Sequence, residues 1–274
     1  MDVQKLEELA ERDLQAVPIE EIAFSVAREK YDGLDVAPYR ERLDEFARRA
    51  GLHVGQVLGG RQIVEGLSHY LFEEEGFRGN SGDYYNPCNS YLNDVLDSRQ
   101  GIPITLSILF VAIGRRLGMK VHGVSFPGHF LARYEDADGV LLVDPFNRGK
   151  ILSEAGCRDR LQEMYGERIG FHPEFLEPAR HREVLLRLLT NLKIIALMRT
   201  DYPMALQMLN RLLLFKPEGG QELKERGLVS YQLECFGSAL KDLETYLNEV
   251  PQDPDRTTLE AYIHDLRDKV DRMV

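Results

Sequence analysis

The sequence predicts an α+β domain that is preceded by helices and followed by an α-helical repeat domain. Three observations lead to this fold class. An apolar helix in the middle of the chain is followed by short strands with a hairpin turn between two of them. The residues before this helix repeat their apolar positions at helical spacing. The last part of the chain repeats with a fixed period, which is typical of stacked helical units.

Residues 1–76 are predicted to be helical, because apolar side chains recur there at intervals of three and four. Ile19, Ile22 and Val26 form one such series. The stretch 73–89 is predicted to be a loop, since its glycines and proline lie among asparagine, serine and aspartate. We expect the helices of residues 1–76 to pack on the central domain.

The strongest helix signal of the chain runs from Ile104 to Leu117 and ends at Gly118. Pro103 fits the first helical position, where its missing N–H would be unpaired in any case. The helix is apolar nearly all round, so it is predicted to be central and buried. Arg115 and Arg116 fall in its last turn, where positive charge suits the helix dipole.

Three strands are predicted after this helix, at Val121–Phe126, Phe130–Tyr134 and Val140–Val143. Gly139 closes a hairpin between the second strand and the third. The pattern indicates a helix packed on an antiparallel sheet. Residues 148–178 are predicted to be loops with a short helix.

A repeat is present in the C-terminal part of the chain. Ala205 and Ala239 lie 34 residues apart, and so do Pro217 and Pro251. A period of 34, with alanine inside the second helix and proline after it, is the signature of tetratricopeptide (TPR) repeats. About two units fit, so the end of the stack is predicted to be covered by Thr257–Val270. The predicted division of the chain is therefore 1–76, 77–180 and 181–274.

Two residues after the central helix have the types and the order of a catalytic pair. His129 follows Pro127 and Gly128, and Asp144 ends the next strand. Since neighbouring antiparallel strands bring such positions together, the carboxylate is expected to fix the tautomer of the imidazole and to stabilise its charged form. The alternative is a structural histidine and an aspartate that caps the turn at Pro145. Gly128 is included among the candidate binding residues.

The place where such a pair would need a nucleophile holds none. A thiol nucleophile works best at a helix N-terminus, where the dipole lowers its pKa, but that place is Gly101-Ile102-Pro103-Ile104. Thr105 follows as a candidate nucleophile or a capping residue. Cys88 lies in a loop ahead of the helix and reaches the pair only if that loop folds back; otherwise it is a small, buried or half-exposed thiol. Asn89, beside it, is either a site-lining or a turn residue.

The charge and the composition exclude several classes of function. The chain has 34 Lys and Arg against 45 Asp and Glu, a net charge of −11, which makes nucleic acid a poor partner. No run of about 18 apolar residues predicts a membrane span, and the first residues lack a signal-peptide pattern. The three scattered cysteines predict a reducing cytoplasm rather than disulfides or structural zinc. No nucleotide-binding glycine loop is found, and no cofactor is expected.

Several blocks of the sequence resemble one family. They are GFRGN, YYNPCNSYLNDVL, RQGIPITLSILF, RRLG, FPGHFLARY and VDPFNRG. They resemble the SirB-type bacterial family, which joins a transglutaminase-like domain to C-terminal TPR units. The resemblance covers nearly the whole chain, is strongest over residues 76–150, and implies a cysteine-protease-like and transglutaminase-like core. In the wider superfamily a cysteine, a histidine and an aspartate form the site, and the resemblance places them at Pro103, His129 and Asp144.

The leading hypothesis is therefore a cytoplasmic, transglutaminase-like pseudoenzyme that acts as a binding or regulatory module. A peptide-like or small polar ligand would lie around Pro103, His129 and Asp144, and the TPR surface would bind a protein partner. The alternative is an active acyl transferase or amidohydrolase that uses Cys88 or Thr105 as its nucleophile. A third possibility is a purely structural role for the TPR part as a scaffold.

Overall fold

The computed structural model describes residues 6–54 and 59–272, and its internal contacts divide the chain into Met1–Leu188 and Leu189–Val274. The helices of the first unit are α1 (Leu6–Ala10), α2 (Ile19–Arg28), α3 (Ala37–Val54), α4 (Gly60–His69), α5 (Leu92–Ser98), α6 (Pro103–Arg116) and α7 (Glu154–Tyr165). Its strands are β1 (Arg78–Gly79), β2 (Gln100–Gly101), β3 (Val121–Val124), β4 (Leu131–Asp136), β5 (Gly139–Asp144) and β6 (Lys150–Leu152). Helix α8 (His181–Met198) contains the boundary, and the second unit continues with α9 (Tyr202–Phe215), α10 (Gly220–Gln232), α11 (Phe236–Glu249) and α12 (Arg256–Asp271).

Helix α6 is the centre of the first unit, as its all-round apolar pattern predicts. Every residue from Pro103 to Gly114 is buried. Helices α2 and α3 and strands β3 and β4 all contact α6. Each fully buried leucine, isoleucine or phenylalanine stabilises the fold by roughly 1.5–3 kcal/mol, so burial of this helix accounts for much of the core's stability.

The main sheet of the first unit has the strand order β3-β4-β5-β6 and is antiparallel throughout. The register pairs Ala132 with Val143. The antiparallel sheet and the hairpin at Gly139 are confirmed. Strand β3 ends at Val124, earlier than predicted, because Phe126 donates its N–H to the Val124 carbonyl at 3.0 Å and so closes a turn.

The prediction of loops with only a short helix over residues 148–178 is wrong in two places. Strand β6 pairs with β5 and adds a fourth strand to the sheet. Helix α7 has 12 residues and begins at a cap, where the hydroxyl of Ser153 accepts the N–H of Gly156 at 3.1 Å. Only Cys157 and Leu161 of this helix are buried, so its apolar face is narrow and its helical period in the sequence is weak.

The stretch 73–89, predicted as a loop, contributes one short strand. Strand β1 pairs in parallel with β2, with Gly79 opposite Gly101. The next residue, Asn80, donates its N–H to the carbonyl of Gly101 at 3.0 Å. These bonds tie the stretch to the residues that lead directly into α6.

The second unit contains the helices of the 34-residue repeat. Ala205 of α9 and Ala239 of α11, the repeat-related pair, are both fully buried. Leu243 of α11 packs in one cluster with Leu259 and Leu266 of α12. Helix α12 is thus the covering helix that the sequence predicts at the end of the stack.

Candidate functional site

His129 lies at the end of a tight turn that the residues before it impose. Its backbone N–H donates to the carbonyl of Phe126 at 3.0 Å, with Pro127 and Gly128 between them. Gly128 has φ +67°, so the turn has the features of type II, whose third residue is usually glycine. A Cβ at Gly128 would also approach Oη of Tyr165 to 2.7 Å. Both the backbone angle and the lack of space therefore require glycine before the histidine.

The side chains of His129 and Asp144 form a direct hydrogen bond. Nε2 of the imidazole lies 2.9 Å from Oδ1 of the carboxylate. Strand β5 ends at Asp144, and its antiparallel neighbour β4 begins two residues after His129. The sheet therefore brings together the two residues that the sequence singles out. Their side chains are only 3% and 1% exposed.

Arg160 of α7 completes a network with His129 and Asp144. Its Nη1 donates to Oδ2 of Asp144 at 2.9 Å, and its Nη2 lies 3.3 Å from Nδ1 of His129. A guanidinium can only donate, so Nδ1 of the imidazole accepts. In this arrangement Nε2 carries a proton that is directed at Asp144. The lone pair of Nδ1 accepts a hydrogen bond from Arg160.

Both carboxylate oxygens of Asp144 accept hydrogen bonds. Besides His129 and Arg160, the backbone N–H and the side-chain Nδ2 of Asn147 donate to it, at 3.2 and 2.7 Å. Burial alone would raise the pKa of Asp144. The hydrogen bond and the electrostatic attraction of His129, the bond from Asn147 and the charge of Arg160 together outweigh burial and hold this pKa below its ordinary value. The ionised carboxylate and Arg160 then balance each other's charge.

The start of α6 carries no free nucleophilic group. Pro103 is its first residue. The hydroxyl of Thr105 accepts the N–H of Ile102 at 3.1 Å and donates to the carbonyl of Asn89 at 2.8 Å. Thr105 is fully buried. Its hydroxyl therefore has the geometry of a helix cap rather than of a nucleophile.

Asn89 holds the loop in front of α6. Its Nδ2 donates to the carbonyl of Asp83 at 2.7 Å, and its Oδ1 accepts from Nδ2 of Asn80 at 3.1 Å. The residue is only 3% exposed. Asn89 and Thr105 are thus joined to each other, and the amide of Asn89 is used within the loop.

A further bond places the first turns of α6 next to the histidine. The hydroxyl of Ser107, four residues after Pro103, donates to the carbonyl of Phe130 at 3.2 Å. Phe130 directly follows His129 in the chain. Helix α6 also contacts the short helical turn Pro145–Asn147, which follows β5. The helix that begins at Pro103 therefore lies against both halves of the pair.

Neither cysteine of the first unit forms a hydrogen bond to His129 among the described residues. Sγ of Cys88 lies 3.6 Å from Nζ of Lys30, and the thiol is in electrostatic range of Tyr31. No contact between Cys88 and His129 is found among the residues that the structure describes. Cys157 is buried in the core, and burial raises its pKa to about 11, so its thiol stays protonated at neutral pH.

Aromatic rings connect the buried imidazole with the surface. The ring of Phe146 meets that of His129 edge-on at 6.1 Å, and the ring of Tyr84 meets Phe146 in the same way at 6.0 Å. Tyr84 is 37% exposed, whereas His129 is only 4% exposed. Pro103 and Asp144 are buried too, so a ligand reaches the expected pocket only if a covering side chain moves.

Two residues of the network were not found from the sequence. Asn147 had a usable signal, because an aspartate commonly accepts the backbone N–H a few residues on, and Asp144 does so here. Arg160 had none, since it lies in the stretch 148–178 that was predicted to be mainly loop. Its contact with Asp144 depends on the packing of α7.

Two family models match different parts of this chain. A family model described as the transglutaminase-like superfamily matches residues 37–190, and a tetratricopeptide repeat model matches residues 192–264. Protein SirB1 of Salmonella typhimurium is 30% identical over 230 residues, which cover 84% of this chain and 85% of that protein. The chain belongs to the SirB-type family.

Other relatives carry the name UPF0162. One from Xylella fastidiosa (strain Temecula1) is 34% identical to this SirB-type chain over 264 residues, covering 94% of the chain and 93% of the relative. UPF0162 protein YchA of Escherichia coli K12 is 29% identical over 265 residues, which cover 95% of this chain and 97% of that protein. No solved structure matches.

Family membership confirms the transglutaminase-like core and the TPR helices of this SirB-type chain. TPR repeats generally mediate protein interactions, so at the level of the family this combination supports a regulatory or binding module. Within residues 6–54 and 59–272, no helix is both long and apolar enough to cross a membrane. The same residues contain no group of three or more His, Cys, Asp or Glu that could hold a metal ion.

Proposed function

We propose that this SirB-type chain is a transglutaminase-like pseudoenzyme that works as a binding and regulatory module. The observation that carries the proposal is the 3.3 Å approach of Arg160 to Nδ1 of His129. A histidine that serves as general base needs one free ring nitrogen to take the proton of the nucleophile. Arg160 uses that nitrogen, and Pro103 stands where the resemblance places the cysteine.

The network has a structural use in this proposal. Charges removed from water must be paired and hydrogen-bonded, and Asp144 is bonded by His129, Asn147 and Arg160. Because Arg160 belongs to α7 and Asp144 ends β5, the pair attaches this helix to the sheet. The residues that would do chemistry in an enzyme thus hold the domain together.

Assays of amide hydrolysis and of amine incorporation, run on the full chain, test the absence of catalysis. We expect the wild type and His129→Ala to give the same background rate, because no residue supplies the covalent step. His69→Ala is the matched control, since that histidine is in the same unit with a side chain 63% exposed. A rate that His129→Ala removes and His69→Ala keeps would contradict the proposal.

The tautomer of His129 offers a second test that needs no substrate. Nitrogen-15 NMR of the wild type is expected to place the ring proton on Nε2, because Arg160 donates to Nδ1 and Asp144 accepts from Nε2. A neutral ring with its proton on Nδ1 would mean that Arg160 does not donate to this nitrogen. The argument against a general base would then be lost.

An active enzyme with Cys88 or Thr105 as nucleophile receives less support. The thiol of Cys88 contacts Lys30, and the hydroxyl of Thr105 is buried and bonded on both sides. The same assays, run on Cys88→Ser and Thr105→Val, test whether either residue acts as a nucleophile. Activity in the wild type that either substitution abolishes would favour the enzyme over the pseudoenzyme.

We also propose that the helices of the second unit bind a protein partner. Apolar side chains are exposed there: Ile194 and Met198 of α8 by 43% and 59%, and Leu214 of α9 by 39%. Ile194 and Met198 are four residues apart, so they share one helix face. A peptide-like ligand at His129 is a weaker candidate, because the imidazole is covered. A cytoplasmic location belongs to this proposal and is supported by the scattered cysteines.

Capture from a bacterial lysate by the immobilised full chain tests the partner. The double change Ile194→Glu and Met198→Glu is expected to lose proteins that the wild type retains, because two charges replace an apolar contact. Leu52→Glu, at a residue of the first unit that is 69% exposed, is the control. Equal capture by all three proteins would contradict binding through this face of α8.

A further inference from the structure

A cavity of about 440 Å³ lies at the carboxyl end of α6. Its volume falls within the range of small-molecule sites, roughly 300–1,000 Å³. None of its residues belongs to the His129 network. The side chains that matter for its chemistry are those of Gln15, Pro18, Glu20, Arg115, Arg116 and His181.

The two adjacent arginines of this cavity differ in how their charge is balanced. Nη1 of Arg116 lies 2.6 Å from Oε1 of Glu20, and its Nε lies 2.7 Å from Oδ1 of Asp44. Burial acts to lower the pKa of Arg116, but the two carboxylates raise it above its ordinary value. Glu20, the carboxylate that lines the cavity, is therefore already engaged.

Arg115 has neutral partners only. Its Nε donates to the carbonyl of Val121 at 3.2 Å, and its Nη2 lies 3.5 Å from Nδ1 of His122. Its Nη1 bonds to no other residue in the described part of the chain. Burial lowers the pKa of Arg115, and Glu20 offsets only part of this effect. A partly desolvated positive charge that bonds to no carboxylate is costly unless a ligand balances it.

His181 and the starts of two helices lie at the same cavity. Nδ1 of His181 lies 2.8 Å from the carbonyl of Val17 and donates to it. Burial and the charge of Arg115 lower the pKa of His181, so its ring is neutral at neutral pH. Helix α2 begins after Pro18 and helix α8 begins at His181. The cavity thus adjoins the positive ends of two helix dipoles as well as the negative end of α6.

We propose that this cavity binds a small oxyanion, a phosphate or carboxylate group, and that Arg115 is the residue that recognises it. A planar guanidinium holds two oxygens of one such group at once. The oxyanion supplies a directly bonded negative charge, which Arg115 lacks. This site is independent of the pseudoenzyme proposal, because it shares no residue with the network of His129.

Calorimetric titration of the full chain with inorganic phosphate and with acetate, at constant ionic strength, tests the site. We expect saturable binding that Arg115→Gln weakens about tenfold or more, since a charge-assisted pair is lost. Arg61→Gln, which changes an arginine that is 65% exposed, is expected to bind as the wild type does. Binding of phosphate alone or of acetate alone identifies the anion class. Absence of saturable binding of both would overturn the proposal.

A second measurement avoids the substitution, because Arg115 also bonds to Val121 and its loss can disturb the fold. Phenylglyoxal modifies accessible arginines, and peptide mapping reports the rate at each one. In the wild type, the anion that binds is expected to slow modification of Arg115 and to leave Arg61 unchanged. Equal rates at Arg115 with and without the anion would contradict the proposed site.

Discussion

The two ends of α6 differ in how the charges around them are satisfied. Near its amino end the charges of Asp144 and Arg160 are paired with each other, and the hydroxyl of Thr105 is bonded on both sides. At its carboxyl end Arg115 lines a cavity and has neutral partners only. A buried and satisfied network contributes to stability, whereas an unbalanced charge in a cavity favours a ligand. The His129–Asp144–Arg160 network and the candidate anion site thus lie at opposite ends of one helix.

The largest effect is expected where the network loses its acceptor. Asp144→Ala leaves the guanidinium of Arg160 and the imidazole of His129 without their carboxylate, which lowers the free energy of unfolding by about 3 kcal/mol. Urea denaturation measures it. Glu73→Ala is the control, because Glu73 pairs with Arg148 in an exposed bridge at 3.4 Å and its loss costs less than about 1 kcal/mol. Equal losses of unfolding free energy in the two variants would mean that the network is as solvent-screened as a surface ion pair.

A smaller effect is expected at the turn before the histidine. Gly128→Ala places a methyl group against Met164 and Tyr165 at a positive φ, so we expect a loss of about 2–3 kcal/mol in the free energy of unfolding. Gly118→Ala has a similar φ, +77°, and no atom near its Cβ, so it carries the backbone cost alone, about 1 kcal/mol. If both variants lose the same amount, α7 does not pack tightly on this turn.

The capping hydroxyl at the start of α6 is expected to matter less. Thr105→Ala removes the acceptor of the Ile102 N–H and the donor to Asn89, which costs about 1 kcal/mol of unfolding free energy. Thr105→Ser keeps the hydroxyl and is expected to recover most of this loss. Thermal unfolding of both variants checks the order, and a serine variant as unstable as the alanine one would point to the lost methyl group instead.

The weakest effect near neutral pH concerns the titration of Asp144. Its pKa is held below the ordinary value of about 4, so its carboxylate contributes stability that is present above that pH. This stability is lost as the pH falls from about 4 through the lower pKa of the folded state. Asp144→Asn lacks this titration, and its stability should fall less steeply in acid. Stepwise urea denaturation below pH 5 tests this, and parallel curves would contradict it.

The residues of the site differ in how far the sequence reveals them. His129 and Asp144 stand beside residues that fix the backbone, Pro127-Gly128 before the histidine and Pro145 after the aspartate. Local geometry of this kind is encoded locally, so a pattern can indicate it. Arg160 contacts Asp144 across 16 residues, and only the packing of α7 brings it there.

Patterns in the sequence are enough to predict the buried α6 and the hairpin at Gly139, because their apolar spacing and glycines act within a few residues. The 34-residue repeat is predicted because the same pattern recurs in successive units. Which charges are balanced, in contrast, depends on the tertiary structure. Arg116 meets Glu20 and Asp44 across 96 and 72 residues, while its neighbour Arg115 meets no carboxylate among the described residues. Charge compensation depends on distances in space, and the order of residues in the chain does not encode those distances directly.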